Sequence, residues 1–421
     1  MIRKTLSLGF LVLFLGCEEG GYTEGNDLSS IGVEVAPQIS DDWIGYDIGA
    51  SPGRWFELGQ IKAAPPGSTV VHPTMPPDFV AKEENNETPI KPVINVLTKN
   101  GKLYRVEHDD VNLELISSYV DQFGLSQHDP NSFEFLPTST DEPLQEPIPL
   151  AFSNGDDNRI ARGIGDHGYS KGTRPYRYIG RMGIGCTGTF IQCKDNNTVC
   201  YYLTVAHCLF NSDGEWFDSG LDISPRRDDN ADCGTKCSGT HPYGRWKNAG
   251  AVFDGVFYSK RCYDDDAYWN DSECPARDMA IVKVTKCSSC SSPGWIKRSI
   301  RSKSKLANDI KKHRGYPKCH KSNPPVGCKD KDPTLYGDGN LSLGNFFSKN
   351  HENWYRLIKH SSDTSSGHSG GPMYISLNGN YYIFGVNVYE NDCSSNCGQH
   401  PNGMRRITPY WNNLINAAVT Q

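Results

Sequence analysis

A serine between glycines is the strongest candidate for chemistry in this chain. The segment 363–372 reads Asp-Thr-Ser-Ser-Gly-His-Ser-Gly-Gly-Pro, so that Gly367 and Gly370 lie on either side of Ser369. Glycine allows turns that residues with a Cβ avoid, and the Ser369 hydroxyl can therefore stand out of a tight loop as a nucleophile. The same turn can direct the backbone N–H groups of Gly367 and Ser369 at one point, where they would stabilise the oxyanion formed when a carbonyl is attacked.

The chain also contains the two groups that a serine nucleophile requires. A serine hydroxyl reacts weakly at neutral pH and needs a base within hydrogen-bond reach, and the base in turn needs an orienting partner. His207 follows the apolar run Leu-Thr-Val-Ala at 203–206, and Asp278 precedes the apolar run Met-Ala-Ile-Val at 279–282. We therefore predict that His207 is the base for Ser369 and that Asp278 orients it.

Taken together, these motifs resemble those of the chymotrypsin-like (trypsin-like) serine peptidases. The family hallmarks are Thr-Ala-Ala-His-Cys, Asp-x-Ala-Leu and Gly-Asp-Ser-Gly-Gly-Pro; this chain has Thr-Val-Ala-His-Cys, Asp-Met-Ala-Ile and Gly-His-Ser-Gly-Gly-Pro in the same order. The resemblance implies an all-β fold of two packed antiparallel β-barrels with a C-terminal helix. It places His207 and Asp278 on the first barrel and Ser369 on the second. It also implies a serine endopeptidase that acts on proteins or peptides without a cofactor or a metal.

A narrower resemblance concerns the segment before the histidine. Asp-Asp-Asn-Arg-Ile at 156–160, Arg-Pro-Tyr-Arg-Tyr-Ile at 174–179 and Cys-Thr-Gly-Thr-Phe-Ile at 186–191 are similar to the opening of bacterial glutamyl endopeptidase-like enzymes, a branch of the same superfamily. In that branch the segment follows removal of a propeptide. We expect the same type of processing in this chain.

Several alternatives stay open at this stage. Three acidic residues at 264–266 compete with Asp278 for the orienting role. A catalytically silent homologue could keep the fold and act as a surface binding module. A metal-dependent hydrolase is a weaker alternative, because no His-Glu-x-x-His cluster occurs in the sequence.

The elements that must position these residues are mostly strands. The run Tyr-Tyr-Ile-Phe-Gly-Val-Asn-Val-Tyr at 381–389 is strand-like, and the resemblance implies that Val388 and Tyr389 pair with an extended substrate. The closing run 407–415 has apolar spacing that fits a terminal helix.

The residue preferred before the scissile bond depends on the resemblance. Asp363 stands six residues before Ser369, where trypsin has the carboxylate that binds Lys or Arg, and Gly403 would keep the pocket open. This favours cleavage after basic residues. Cleavage after Glu is the alternative, since glutamyl endopeptidase-like enzymes often have Asp-Thr at this place. Those enzymes normally carry a histidine on the next strand, where this chain reads Gly-Val-Asn at 385–387.

Activation by a new N-terminal amine is not expected. Trypsin has an aspartate before its nucleophile that pairs with this amine, and this chain has His368 there. A cationic imidazole would repel the amine. We expect that activity is controlled instead by removal of the N-terminal region through cleavage near residue 150.

The N-terminus predicts export. Met-Ile-Arg-Lys is followed by an apolar run at 6–15 of about ten residues, too short to span a bilayer of roughly 30 Å. Phe-Leu-Gly-Cys at 14–17 resembles the bacterial lipobox, which predicts a lipid on Cys17 and a location in the bacterial cell envelope, either periplasmic or at the surface. A plain secretory signal and a secreted protein are the alternative.

Composition divides the rest of the chain near residue 150. Residues 18–150 have no cysteine and are rich in Pro, Asp, Glu and Asn, which predicts a propeptide or a spacer. Residues 1–17 are the predicted signal peptide, and residues 151–421 form the predicted peptidase domain.

The overall composition is that of a folded protein, because a hydrophobic fraction of 37% in 421 residues is compatible with sizeable cores. The net charge of −6 gives no reason to expect nucleic acid as a partner. We expect a monomer.

Cysteine usage supports an oxidising compartment. Of fifteen cysteines, Cys17 accounts for one, and the other fourteen lie between residues 186 and 397. The resemblance implies a bridge from Cys186 to Cys208, next to the histidine. Proximity in sequence suggests six further pairs, namely Cys193 with Cys200, Cys233 with Cys237, Cys262 with Cys274, Cys287 with Cys290, Cys319 with Cys328, and Cys393 with Cys397. Zinc is the alternative, because Cys287-x-x-Cys290 and Cys319-His320 resemble ligand spacings.

Overall fold

The computed structural model describes most of the predicted peptidase domain and three parts of the region before it. The described residues are 33–34, 54–75, 93–107, 160–162, 170–228, 241–271, 273–301, 306, 309–317, 335–337, 339, 341–345, 357–362, 364, 366–391, 402–408, 411–412, 414–415 and 418. Cys17, Asp363 and the proposed cleavage region near residue 150 lie outside these ranges.

The structure is mostly β, with two large and mainly antiparallel sheets and a few short helices. In chain order the strands are β1 (Val33–Glu34), β2 (Arg54–Gln60), β3 (Thr74–Met75), β4 (Val93–Thr98), β5 (Lys102–Glu107), β6 (Ile160–Ala161), β7 (Ile179–Met182), β8 (Thr187–Lys194), β9 (Val199–Thr204), β10 (Ile223–Pro225), β11 (Lys247–Asp254), β12 (Ala280–Thr285), β13 (Lys297–Arg298), β14 (Lys311–His313), β15 (Tyr336–Gly337), β16 (Leu343–Asn345), β17 (Leu357–His360), β18 (Pro372–Leu377), β19 (Asn380–Asn391) and β20 (Asn402–Arg406). The α-helices are α1 (Gly255–Ser259), α2 (Asp265–Asn270) and α3 (Glu273–Arg277), and short 3-10 helices include Tyr176–Tyr178, Asp195–Asn197, Ala206–Leu209 and Ser219–Leu221.

The first sheet brings together the two strands that end at the predicted base and acid. Its order is β1-β2-β5-β4-β11-β12-β9-β8-β7-β10. Strands β9 and β12 are rich in Val, Ile, Tyr and Thr, which pack well on a pleated surface, and they pair antiparallel with Ala280 opposite Thr204. His207 follows β9 and Asp278 precedes β12, so both residues leave the sheet at the same end.

The second sheet carries the serine. Its main order is β14-β18-β19-β20-β17-β16, and both β3 and β13 pair parallel with β19. The 366–371 loop containing Ser369 leads directly into β18, which pairs antiparallel with β19. Ser369 therefore lies just before the start of β18, a strand inside the second sheet.

Strands from the N-terminal region extend the first sheet. β4 pairs antiparallel with β11, from Ile94 opposite Asp254 to Thr98 opposite Gly250, and β5 and β2 continue from β4. Val96 and Leu97 are fully buried in the same core as the strands that lead to His207. Burial of each such side chain contributes about 1.5–3 kcal/mol. Residues 93–107 thus share a sheet and a core with residues after 150, and the division of the chain near residue 150 stays a prediction.

Four disulfides connect the described residues. They are Cys186–Cys208, Cys193–Cys200, Cys262–Cys274 and Cys287–Cys290. These are four of the seven pairs predicted from the sequence; the cysteines of the other three lie outside the described ranges. Since Cys287 and Cys290 are bonded to each other, this pair does not supply zinc ligands. Multiple disulfides indicate an extracytoplasmic protein.

The C-terminal segment is helical at each residue described there, which are Trp411, Asn412, Leu414, Ile415 and Ala418. Trp411, Leu414 and Ile415 are buried in the main core. In the described part of the chain, no helix combines the length and the apolar character needed to cross a membrane.

Candidate active site

His207 and Asp278 form a buried hydrogen-bonded pair. Nδ1 of His207 lies 2.6 Å from Oδ2 of Asp278, and the backbone N–H of His207 donates to Oδ1 at 2.9 Å. The exposed fraction is 1% for His207 and 0% for Asp278. Two hydrogen bonds from one residue fix both the position of the carboxylate and the rotation of the imidazole. Asp278 is therefore the carboxylate paired with His207, whereas Asp264 caps α2 by accepting from the backbone N–H of Asp266.

Tyr268 completes the shell of the carboxylate. Its hydroxyl donates to Oδ2 of Asp278 at 2.9 Å, and its ring meets the His207 ring edge-on at 6.4 Å. Burial, and next the negative charge of Asp278, raise the pKa of Tyr268 well above 10.0, so that Tyr268 remains a donor at neutral pH. A buried carboxylate is costly without such partners. Sequence reasoning missed Tyr268, which lies on α2 in a long loop where no motif singles it out.

A second ion-pair group holds the residue before Asp278. Arg277 donates through Nε to Glu273 at 2.8 Å and through Nη1 to Asp254 at 2.9 Å, and all three side chains are buried. Burial alone would lower the pKa of Arg277, but the two carboxylates outweigh it and raise the pKa above its ordinary value. Because Asp254 ends β11, this group fixes the start of β12, and with it Asp278, against the sheet.

The loop around Ser369 depends on its glycines. Gly367 and Gly370 have φ values of +98° and +80°, which L-residues with side chains rarely adopt. A Cβ on Gly370 would lie 2.2 Å from the carbonyl oxygen of Thr187. Thr187 binds the loop twice, since its N–H donates to the Ser369 carbonyl at 2.9 Å and its hydroxyl donates to the Gly367 carbonyl at 2.7 Å. The loop is thereby fixed to β8 of the first sheet.

The hydroxyl of Ser369 is paired with an unexpected residue. Nδ1 of His72 lies 3.1 Å from Oγ of Ser369, and the His72 ring is nearly perpendicular to the His207 ring at 6.1 Å. Nε2 of His207 is buried and makes no hydrogen bond to any described residue. His72 is thus hydrogen-bonded to Ser369 and lies edge-on near His207, whereas His207 and Ser369 are not hydrogen-bonded to each other. Sequence reasoning missed His72, which lies in a Pro-rich segment without a periodic pattern.

The same place contains the one group of potential metal ligands found among the described residues. Ligand atoms of His72, Cys186 and His207 all lie within 4.8 Å of one another. The sulfur of Cys186 is bonded to Cys208 and is no thiolate. Two imidazoles and a disulfide sulfur do not form a usual zinc set, so this group fits a metal poorly.

The predicted substrate-binding residues lie on the second sheet. Val388 and Tyr389 are on β19 with buried side chains, and the Tyr389 ring packs against Trp269 edge-on at 5.0 Å. Tyr389 lies opposite Gly403, where a Cβ would come within 1.9 Å of the ring. The space that Gly403 leaves is therefore filled by Tyr389, whereas sequence reasoning expected it to open a pocket.

Buried polar contacts surround the residue before Asp363. The carbonyl of Ser362 accepts from Asn402 at 2.6 Å, and its N–H donates to Nδ1 of His360 at 3.2 Å. Because Nδ1 of His360 accepts, its other nitrogen carries the proton in the neutral ring and donates to Oδ1 of Asn387 at 3.0 Å. Asn387 belongs to the stretch 385–387, which contains no histidine.

Comparisons with known proteins give structural likenesses only. No protein-family model matches the chain, and no curated protein matches it. The structure is similar to that of protease Anisep from Arthrobacter nicotinovorans, with 16% identity over 59% of this chain and 97% of that chain and a TM-score of 0.38. It is also similar to a thermostable serine protease, AL20, from an extremophilic microorganism, with 14% identity over 58% of this chain and 99% of that chain and a TM-score of 0.38.

Proposed function

We propose that this protein is an exported serine endopeptidase in which His207, Asp278 and Ser369 form the catalytic triad. The observation that carries the proposal is the 2.6 Å contact between Nδ1 of His207 and the buried carboxylate of Asp278. The Ser369 hydroxyl lies 3.1 Å from Nδ1 of His72, and the His72 ring lies 6.1 Å from the His207 ring, so both proposed catalytic groups adjoin the same side chain. An imidazole oriented by a carboxylate beside a hydroxyl in a glycine turn is the arrangement that acyl transfer requires.

In the proposed reaction, Oγ of Ser369 attacks the carbonyl carbon of a peptide bond while Nε2 of His207 takes its proton. His207 then donates that proton to the leaving amine, and the acyl group remains on Ser369. A water molecule attacks the ester with His207 again as the base, and the carboxylic acid is released. Asp278 fixes the tautomer of His207 and offsets the charge of the imidazolium.

The oxyanion that forms in each step would accept from the N–H groups of Gly367 and Ser369. The geometry of the Ser369 N–H supports this role. The carbonyl of His368 accepts from the Gly371 N–H at 2.7 Å. In a trans peptide the carbonyl and the next N–H point in opposite directions, so the Ser369 N–H is directed away from that turn.

We propose a chymotrypsin-like arrangement of two β-barrels, with the active site between them, for the two sheets. The Ser369 loop bonds to Thr187 on the first sheet and to Asn387 on the second, which supports a site at their junction. A lipid on Cys17, a position in the bacterial cell envelope and a monomeric state complete the proposal. The four disulfides support export.

For specificity we propose cleavage after Lys or Arg, with Asp363 as the anionic group. Cleavage after Glu is the alternative, and the lack of a histidine in the stretch 385–387 argues against it. Peptides that differ only at the residue before the scissile bond will separate the two. Rapid cleavage after Glu and none after Arg would reverse the assignment.

Covalent labelling tests the proposed function itself. A fluorophosphonate probe is incubated with the purified chain, before and after limited proteolysis, and the labelled peptide is identified by mass spectrometry. We expect label on Ser369, insensitivity to a chelator, and no label in the Ser369→Ala variant. Absence of label in both the intact and the nicked protein would instead favour a catalytically silent binding module. The observation that favours this alternative is that Nε2 of His207 makes no hydrogen bond to Ser369.

A further inference from the structure

A segment of the N-terminal region, residues 61–75, crosses the site and is anchored where it enters. The N–H of Ala64 donates to the Trp216 carbonyl at 2.9 Å, and the Trp216 N–H donates to the Lys62 carbonyl at 3.1 Å. Lys62 also forms an ion pair with Glu215 at 2.6 Å. We call residues 61–75 the crossing segment. Its first anchor lies just beyond the 3-10 helix that contains His207.

The crossing segment is anchored again on the far side of the site. Its last two described residues form β3, in which Thr74 pairs with Glu390 and Met75 with Asn391. The partner strand is β19, whose preceding residues were predicted to pair with an extended substrate. Between the anchors, Val70 is buried in the main core at 8% exposure.

His72 lies between the two anchors and contacts both halves of the proposed catalytic pair. Its Nδ1 is 3.1 Å from Oγ of Ser369, and its ring stands edge-on to His207. The Ser369 hydroxyl is therefore engaged by His72, and Nε2 of His207 makes no hydrogen bond to it. The group that meets the Ser369 hydroxyl is a side-chain nitrogen and not an acyl group, so this contact offers no bond for the serine to cleave.

We propose that the crossing segment is an intramolecular inhibitor, and that the groove between His207, Ser369 and β19 is its docking surface. This inference rests on the proposed peptidase function and names how that site is controlled. A tethered occupant acts at a high effective concentration, which for short links reaches the millimolar range. A substrate must displace His72 and β3 before it can reach Ser369.

The pairing of β4 with β11 adds a consequence for activation. Because β4 lies inside the first sheet between β5 and β11, cleavage near residue 150 alone leaves residues 93–107 in place. The crossing segment stays tethered to that sheet through β4 and β2. Activation therefore requires displacement or cleavage of the crossing segment itself.

The test compares labelling rates in the uncleaved chain. His72→Ala removes the ring, and His72→Phe keeps its bulk but removes the nitrogen that contacts Ser369. Thr69→Ala is the matched control, because Thr69 is exposed and lies in the same segment. Fluorophosphonate labelling of Ser369 is followed over time, gel electrophoresis verifies an uncleaved chain, and circular dichroism verifies folding.

We expect His72→Ala to label about tenfold faster than wild type, which is the scale of one lost hydrogen bond and its contacts. His72→Phe should label faster as well, by a smaller factor, and Thr69→Ala should match wild type. If folded His72→Ala and His72→Phe both label within about twofold of wild type, the inhibitor assignment is wrong although the peptidase assignment stands. If no variant is labelled, even after proteolysis, the proposed function fails instead.

Discussion

Replacement of Tyr268 by Phe tests whether the carboxylate shell positions the proposed catalytic base. Oδ2 of Asp278 accepts from His207 at 2.6 Å and from the Tyr268 hydroxyl at 2.9 Å. The variant keeps the buried ring and deletes one donor. A hydrogen bond to a charged group is worth about 1.5–3 kcal/mol, so the free energy of unfolding should fall by about that amount.

Only part of the stability lost in Tyr268→Phe should appear as an increase in the activation free energy of peptide hydrolysis. Asp278 is charged in both the ground state and the transition state, and the lost donor matters to the rate only through the orientation and charge of His207. If about 1 kcal/mol of the loss reaches the barrier, kcat falls by about fivefold. KM should stay unchanged, because Tyr268 is fully buried against Asp278 and is not exposed to substrate.

The assay is hydrolysis of a chromogenic peptide by wild type, Tyr268→Phe and Tyr263→Phe. Tyr263 lies in the same segment between His207 and Asp278, and its ring packs on Phe210 and Tyr258, whereas the tyrosine hydroxyl that donates to Asp278 is that of Tyr268. Since the pKa of Tyr268 lies well above 10.0, the ratio of wild-type to variant kcat should be constant through the neutral and mildly alkaline range. Equal kcat values in the two variants, or an effect confined to KM, would show that Tyr268 has no positioning role.

Three further perturbations follow from the same geometry. Ser369→Ala should reduce peptide hydrolysis on the order of 10⁴-fold or more, while stability falls only by the scale of the one hydrogen bond to His72, about 0.5–1.5 kcal/mol. Gly370→Ala should lower the free energy of unfolding by more than about 3 kcal/mol in denaturant titrations, because a left-handed φ is combined with a Cβ that would lie 2.2 Å from the Thr187 carbonyl oxygen. Gly379→Ala is the matched control and should lower it by only about 1–2 kcal/mol, because Gly379 has a φ of +75° but no atom within 4 Å of its Cβ. Replacing Cys186 and Cys208 by Ala should cost about 3 kcal/mol, as expected for a loop of 22 residues.

Each of these has an outcome that contradicts its reasoning. Casein cleavage by Ser369→Ala at the wild-type rate would end the peptidase proposal. Equal costs for the two glycine variants would show that the close approach of the Ser369 loop to Thr187 is unimportant. Removal of the Cys287–Cys290 bridge, which closes a loop of 3 residues, should cost only about 1.5–2 kcal/mol; a larger cost than for Cys186–Cys208 would contradict the loop-length argument.

Local patterns in the sequence allowed the pairing of His207 with Asp278 to be anticipated. Each residue adjoins an apolar run of strand-forming residues, and neighbouring antiparallel strands bring such ends together. Three disulfides between cysteines near in sequence, Cys193–Cys200, Cys262–Cys274 and Cys287–Cys290, were likewise anticipated from proximity, whereas Cys186–Cys208 was anticipated only from the family resemblance. These are features that short-range chemistry determines.

The contacts that were missed are long-range. His72 and Ser369 are 297 positions apart in the sequence, and no local pattern links them. The joining of β4 to β11 is set by the register of the whole sheet, and the segment around β4 reads equally well as an isolated strand. The donor role of Tyr268 arises from the placement of α2, a short helix within an insertion. In each case the tertiary structure, rather than the local sequence, decides which groups meet.

The approach of the two sheets determines where the nucleophile stands. The Ser369 loop donates from Gly370 to the Asn387 carbonyl on β19 at 2.8 Å and accepts from Thr187 on β8 at 2.9 Å. Gly370 permits this double attachment, because any Cβ there would meet the backbone of Thr187. Ser369 is therefore held between the two sheets by its loop, and at that place its hydroxyl is hydrogen-bonded to His72 and not to His207.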